Sequence, residues 1–546
     1  MPLLICGFLN PLVLGGTIYS FGFYGNALKQ QFHLTQANLD TVSSVFFAAG
    51  LLAWIPGMVA DRFGVQIGMI VGGIWTTCNI GLYWSLLRQF IVIDNPWFLV
   101  ACLASMRFLI SLSVAMIEAG TYKSVIQYSK PIQRGVSVGL AKGYPGLGTG
   151  VFSLMFQTLH SNTNLNFPLM MATFIVIVIT IPTSTMVFFR GPCKNDTRVR
   201  DETTDLHYHV LVAGYLALAV LLTGVTVVDL MGNPNSTKTA LVFILFLLVW
   251  IGPIVSIGCL PRSTQEEEEE GETNDEEIPT ETEQLQNRNE ANNDDENGLV
   301  KREVTEIDAL LVDAEKRPKL RKERNVSEML TTAAAWYLVW TFVIVIGQGT
   351  TVLNNIGEMV QAQGFASSTI TPVALAMMSV SQALSRVIAG AVCGGKQSWS
   401  PPLVLTYLCV ISAAGHFVLA VSYHSLGWFL FGVSLAAVGF GAAWPLMMLV
   451  VGDLFGMQNF GSNYMFYDGL SLSVGTVTLA KYVTQYFYQS HIPTGTNTTV
   501  CYGQGCFQGT FWVVFVLLLS SILTSLLVLC SPLSREVYGT RKIQKY

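Results

Sequence analysis

The chain has 546 residues, 51% of them hydrophobic and 12% charged, with a mean hydropathy of +0.49. Soluble globular domains carry about 25% charged residues, so a soluble enzyme of this length is excluded. Residues Arg262–Val326 hold 21 acidic and 10 basic residues, a net of −11, which leaves +6 for the rest of a chain whose total is −5. A basic, apolar body interrupted by one acidic polar insert is the charge pattern of a polytopic membrane protein.

A membrane-spanning helix needs roughly 20 mainly apolar residues. Fourteen segments qualify. Eight precede the acidic insert, at about 3–24, 39–60, 66–88, 97–120, 136–158, 168–188, 209–230 and 239–260. Six follow it, at about 331–354, 369–390, 401–422, 427–450, 463–488 and 509–531. The first begins almost at Met1, and the polar stretch Tyr19–Asn26 reads as part of a retained helix rather than a cleaved leader. An even number of spans puts both termini on one side. Arg62, Lys123, Lys130, Arg134, Arg190, Lys194, Arg198, Arg200, Lys396, Arg535, Arg541, Lys542 and Lys545 collect there, against Lys29, Arg88 and Lys238 opposite. The basic side is expected to be cytosolic, with both termini and the insert. The Asn235 and Asn497 sequons then face the other side as glycosylation candidates, and so do Cys501 and Cys506, a candidate disulfide. The expected divisions are a six-helix bundle at 1–190, two additional helices at 208–260, a disordered loop at 261–328, a second six-helix bundle at 329–532 and a tail at 533–546. Six plus six with a long central loop is the plan of secondary transporters.

The loop after the second span reads Gly57-Met-Val-Ala-Asp61-Arg62-Phe-Gly64. Asp61 stands at a helix terminus beside the side-marking Arg62, a cluster able to lock neighbouring helices in one conformation. Further stretches are Gly16-Thr-Ile-Tyr19-Ser-Phe21-Gly-Phe-Tyr24-Gly-Asn26, Gln127–Gly135 leading into Gly139-Leu-Ala-Lys142-Gly143-Tyr-Pro145-Gly146, and Gly347-Gln348-Gly349 through Asn354-Asn355. Asp453-Leu-Phe-Gly456, Asn463-Tyr464 and Cys501-Tyr-Gly-Gln-Gly-Cys506 complete the set. In this order they resemble the nodulin-like branch of the major facilitator superfamily, related to monocarboxylate-transporter-type families. The resemblance implies an all-α fold of two six-helix bundles plus two extra helices and a transport activity, without a substrate.

Charges inside a bilayer are costly and mark candidate sites. Arg107, in the middle of the fourth span, is a candidate anchor for an anionic solute; backbone carbonyls or an acid from another span are the rival partners. Glu118, three turns further along, pairs with Lys142 of the fifth span as a structural ion pair, or titrates as a coupling site. Arg386 is expected to snorkel from a helix end, with a gate as the alternative, and Asp229 and Asp468 read as terminal charges. Tyr19, Tyr24, Asn26, Gln348, Asn354, Asn355, Asn463 and Tyr464 are candidate lining groups of a central cavity or satisfy backbone within the bundle. In the insert, Glu306-Ile-Asp-Ala-Leu310-Leu311 resembles an acidic dileucine sorting signal, which would recruit sorting adaptors.

Nothing in the sequence calls for a metal, a cofactor or a nucleic-acid partner. Gly390–Gln397 lacks the Ser or Thr of a phosphate loop, and neither H-E-x-x-H nor G-x-S-x-G occurs. The expected protein is therefore not an enzyme but a transporter of a small polar or anionic organic solute by alternating access. It would sit in the plasma membrane or an endosomal, lysosomal or vacuolar membrane; a transporter-like solute receptor is the alternative. The basic-residue asymmetry makes the topology testable. An epitope at Gln286 should be reached by antibody only after the cytosolic side is opened, and glycan should sit at Asn235 or Asn497. Glycan at Asn195 would invert the assignment.

Overall fold

A computed structural model describes residues 7, 9–12, 28–29, 31–129, 133–159, 180–181, 205–230, 244, 248, 323–365, 367–394, 399–422, 425–492 and 501–543. The described residues are helical, with no strand among them. Eleven of the fourteen expected spans appear; those at about 3–24, 168–188 and 239–260 lie largely outside the described residues. Among the described residues eight helices are long and apolar enough to cross a membrane, nine if one bent pair counts as a single span.

The helices before the insert are α1 (Gln36–Ala48), α2 (Trp54–Phe63), α3 (Val65–Leu87), α4 (Pro96–Tyr128), α5 (Arg134–Leu159) and α6 (Asp205–Leu230). After it come α7 (Val326–Leu330), α8 (Ala333–Ala362), α9 (Ser367–Cys393), α10 (Pro401–Val421), α11 (Leu426–Phe455) and α12 (Phe460–Gly475). A π-helical stretch, Thr476–Val483, joins α12 to α13 (Thr484–Ser490), and α14 (Gly505–Cys530) and α15 (Pro532–Ile543) close the chain. Local chemistry sets several ends. The Asn95 side chain accepts from the Trp97 and Phe98 amides, and Pro96 begins α4 where its missing N–H is no loss. Asn325 and Glu328 form a capping box on α7. The second span bends by 44° between its two pieces, where Pro56 cannot donate to the Leu52 carbonyl.

Helices α1–α5 form one half and α8–α14 the other, and both lie in one contact unit. The halves meet along two seams, α2 on α12 and α5 on α9. Glycines allow both approaches. A Cβ on Gly57 would stand 2.5 Å from the Gly461 carbonyl oxygen, and one on Gly139 would stand 2.8 Å from that of Arg386. The additional helix α6 buries one face, including Tyr208, Leu211, Tyr215, Leu218 and Leu222, against α5 and α9. Tyr215 fills the space beside Gly143 and donates to the Ala383 carbonyl at 3.0 Å.

The seam is thus steric before it is electrostatic. Gly139→Leu should lower the melting temperature in detergent by several degrees, in keeping with about 1–3 kcal/mol of overpacking. Gly81→Leu, with nothing within 4 Å of its Cβ position, should leave it unchanged. Equal melting of the two variants would contradict the tight seam.

Candidate functional site

The ends of α2, α4, α9 and α11 and the starts of α3, α5 and α12 lie together and carry Arg62, Lys123 and Arg134; this is the basic end of the bundle. The first amides of any helix lack intrahelical partners and carry a partial positive charge. Asp61, in the last turn of α2, uses this on a helix of the other half. Its Oδ1 accepts from the Gly461 amide at 2.9 Å, and its Oδ2 accepts from the Ser462 amide and hydroxyl, both at 2.7 Å. Lys123 of α4 pairs with Asp61 at 2.6 Å and donates to the Gln458 carbonyl at 2.6 Å. Arg62 is exposed, so the partner of Asp61 is Lys123 from another helix, not its sequence neighbour. A second tie joins Arg134 of α5 to Asp453 of α11 at 3.7 Å, and Tyr538 of α15 donates to the same carboxylate at 3.1 Å.

About 12 Å deeper, eight residues inside the starts of α5 and α12, lies a second layer. Lys142 Nζ stands 3.3 Å from Asp468 of α12 and 3.9 Å from Glu118 of α4. The Tyr464 hydroxyl donates to Asp468. Aromatic faces close the ammonium in, with Tyr122, Tyr464 and Trp444 ring centroids at 3.8, 5.0 and 5.2 Å. Lys142, Glu118 and Asp468 are 4%, 6% and 8% exposed. Arg386 of α9 reaches the same place, donating to the Lys142 carbonyl at 2.5 Å and to Gln382 Oε1 at 3.3 Å.

Two readings from sequence change here. Asp468 is not a terminal charge: α12 begins at Phe460, which sets Asp468 two turns inside the bundle. Arg386 does not snorkel; it is 4% exposed, and Gly146 leaves the room its guanidinium occupies. Asn463 is buried and donates to the Arg324 carbonyl at 2.9 Å, a tie that holds the start of α7 to α12. Gln348 donates to the Ala436 carbonyl at 3.0 Å and Asn355 to the Thr351 and Ala480 carbonyls at 2.8 and 3.2 Å, while Asn354 is exposed. Arg107 is buried three turns from Glu118, its guanidinium 4.3 Å from the Phe46 ring centroid, and does not join the Lys142 layer. Cys501 and Cys506 form a disulfide. Tyr19, Tyr24, Asn26, Asn235, Asn497, Glu306, Leu310 and Leu311 lie outside the described residues. No group of His, Cys, Asp or Glu able to hold a metal occurs among the described residues. Reading along the chain misses Asp468; the signal was the polar spacing Asn463, Tyr464, Tyr467, Asp468, which repeats at helical period.

Residues 4–257 match the family model described as Nodulin-like. A fungal relative, "Probable transporter MCH1" of Gibberella zeae, is 22% identical over 250 residues, which cover 38% of this chain and 44% of that protein. The chain thus matches less than half the length of that relative. Among solved structures, a proton:xylose symporter, XylE, bound to 6-bromo-6-deoxy-D-glucose, aligns with a TM-score of 0.53 at 12% identity, covering 96% of this chain and 94% of the symporter. That alignment shows the major facilitator fold.

The Asp61–Lys123 pair is buried on both sides, so removing one partner leaves the other uncompensated. Asp61→Ala should cost about 3–5 kcal/mol of stability. Adding Lys123→Ala should recover part of that loss in a double-mutant thermal-melting cycle. Strict additivity would show that the two groups do not interact.

Proposed function

We propose that this chain, whose residues 4–257 match the Nodulin-like family model and whose fold is that of the major facilitators, is a membrane transporter moving a small polar or anionic organic solute by alternating access. One observation carries the reading. Both ion pairs that join the two halves among the described residues, Arg134–Asp453 and Lys142–Asp468, lie toward the basic end, together with the Asp61 clamp on α12. Ion pairs gathered at one end of a two-half bundle suit a gate at that end; farther along, the halves are joined by hydrogen bonds, Ser473 to the Phe47 carbonyl and Lys481 to Ser44 at 3.4 Å. The basic end is the cytosolic one by its lysines and arginines.

In this reading the transport unit is the two bundles at 1–190 and 329–532, with two additional helices at 208–260, and the loop at 261–328 and the tail at 533–546 lie in the cytosol. Asp61, Lys142 and Arg386 belong to the gate, and Glu118 steadies Lys142 within its own half. Arg107 is the solute anchor. It lies about 16 Å along α4 from Glu118, on the side away from the gate, and its planar fork suits a carboxylate or similar oxyanion. The ring of Phe46 supports the guanidinium from one face and orients it. Glu306, Leu310 and Leu311 would direct the protein to endosomal, lysosomal or vacuolar membranes through sorting adaptors.

Metabolite profiling of a deletion strain, followed by uptake of the altered solutes into proteoliposomes, identifies the cargo. Arg107→Gln should then abolish uptake while the protein still inserts and melts as the wild type does without solute, and solute should no longer raise its melting temperature. Arg107→Lys should keep part of the binding. Wild-type uptake by the Gln variant would refute the anchor, and lowered melting without solute would make Arg107 a structural residue instead.

A further inference from the structure

Among the described residues, two carboxylates of the second half pair with the first, Asp453 on α11 and Asp468 on α12, and each also accepts from a tyrosine of its own half. For Asp468 that tyrosine is one turn away on the same helix, a spacing that helix geometry supplies. For Asp453 it is Tyr538, 85 residues along the chain and carried by α15. Local chemistry builds α15 to hold that place. The Ser531 hydroxyl accepts from the Ser534 amide at 3.2 Å, and Pro532 opens the helix where no N–H is needed. Leu533, Val537 and Tyr538 pack against the core, while Arg535 and Glu536 are exposed. The helix lies on α11 and α14, both of the second half. The two donors to Asp453 use different oxygens: Arg134 Nη1 stands 3.7 Å from Oδ1, and the Tyr538 hydroxyl donates to Oδ2 at 3.1 Å. They also belong to different halves. When the basic end opens, Arg134 leaves with α5 and Tyr538 stays with α11. Asp453 is 3% exposed, and a buried carboxylate depends more on each donor the fewer it retains. The Tyr538 hydrogen bond therefore stabilises the chain more after Arg134 has gone than before.

We propose that Tyr538 is a positioning residue of the gate: it holds the Asp453 carboxylate for Arg134 while the basic end is closed and satisfies it once Arg134 withdraws. The C-terminal helix α15 thereby lowers the free energy of opening. A group shifts an equilibrium only by interacting differently with the two states. Here the difference is made by Arg134. Without the arginine, Asp453 has the same tyrosine in both states, and Tyr538 no longer discriminates between them.

The inference rests on the alternating-access reading, and one experiment separates the two. Val138 is fully buried on α5, one turn from Arg134 and one from Lys142, and shares their face toward the second half. A cysteine at that position, as the sole free thiol of the full chain in nanodiscs, should react with a water-soluble maleimide only when the basic end opens. The labelling rate then follows the open population. Tyr538→Phe, which removes only the hydroxyl, should slow labelling roughly fivefold. Arg134→Gln should speed it, and adding Tyr538→Phe to Arg134→Gln should change it no further. Arg535→Gln, an exposed charge on the same helix, should match the wild type. A rate that Tyr538→Phe leaves alone or raises overturns the inference. So does a slowing of equal size in the Arg134→Gln background, a like slowing by Arg535→Gln, or an Arg134→Gln rate no higher than that of the wild type. In each of these cases labelling itself still shows the basic end opening, and alternating access stands. If the wild-type sequence stays unlabelled over hours, the basic end does not open, and alternating access falls together with the inference.

Discussion

One ammonium group with carboxylates on two sides sets the terms for the rest of this bundle. Lys142 lies about 12 Å inside the helix ends. An isolated charge at membrane depth costs several kcal/mol, so it persists only with partners. Glu118, Asp468 and the rings of Tyr122, Tyr464 and Trp444 supply them. Bringing those groups together from four helices demands close backbones. Gly139 against Arg386, Gly57 against Gly461 and Gly50 against Gly469 meet that demand, since a Cβ at any of the three would fall within 2.8 Å of a carbonyl oxygen. The packing and the electrostatics are thus one design: small residues set the distance at which the charges become affordable.

The two layers at the basic end are built differently. In the outer layer Asp61 takes backbone amides of α12, and Lys123 takes a backbone carbonyl. In the inner layer the partners across the halves are side chains, and they are buried as the outer Asp61–Lys123 pair is. Breaking that layer requires a substitute charge arrangement, and Glu118, 3.9 Å from Lys142 and on the same half, provides one for the lysine.

How much of this was legible follows from what a sequence window sees. Hydropathy registers burial along one helix, so the eleven spans seen among the described residues were readable from apolar runs, while the facilitator fold was implied by the motifs that resemble that family. So was the Cys501–Cys506 pairing, whose partners are five residues apart. Depth near a helix end was not readable. Asp468 and Arg386 lie close enough to span boundaries to look terminal, and their burial comes from helices more than 200 residues away in sequence. Asn463 looked like a lining group because its type is polar; its Nδ2 donates to the Arg324 carbonyl, a contact that depends on where the insert re-enters the bundle. The bend in the second span had a signal in Pro56, which an apolar count cannot register.

The additional helix shows the same limit from another side. Its composition marks α6 as a span but says nothing of where it docks. It docks where α5 and α9 meet, and Tyr215 touches both: its ring replaces the side chain that Gly143 lacks, and its hydroxyl reaches the Ala383 carbonyl. The two contacts differ in kind. A neutral hydrogen bond to a carbonyl contributes about 1 kcal/mol net. The ring buried beside Gly143 and Tyr144 removes far more apolar surface from its surroundings. Tyr215 is therefore anchored to the first half by packing and joined to the second by one directional bond. The helix as a whole packs against both α5 and α9, so it covers the seam from both halves.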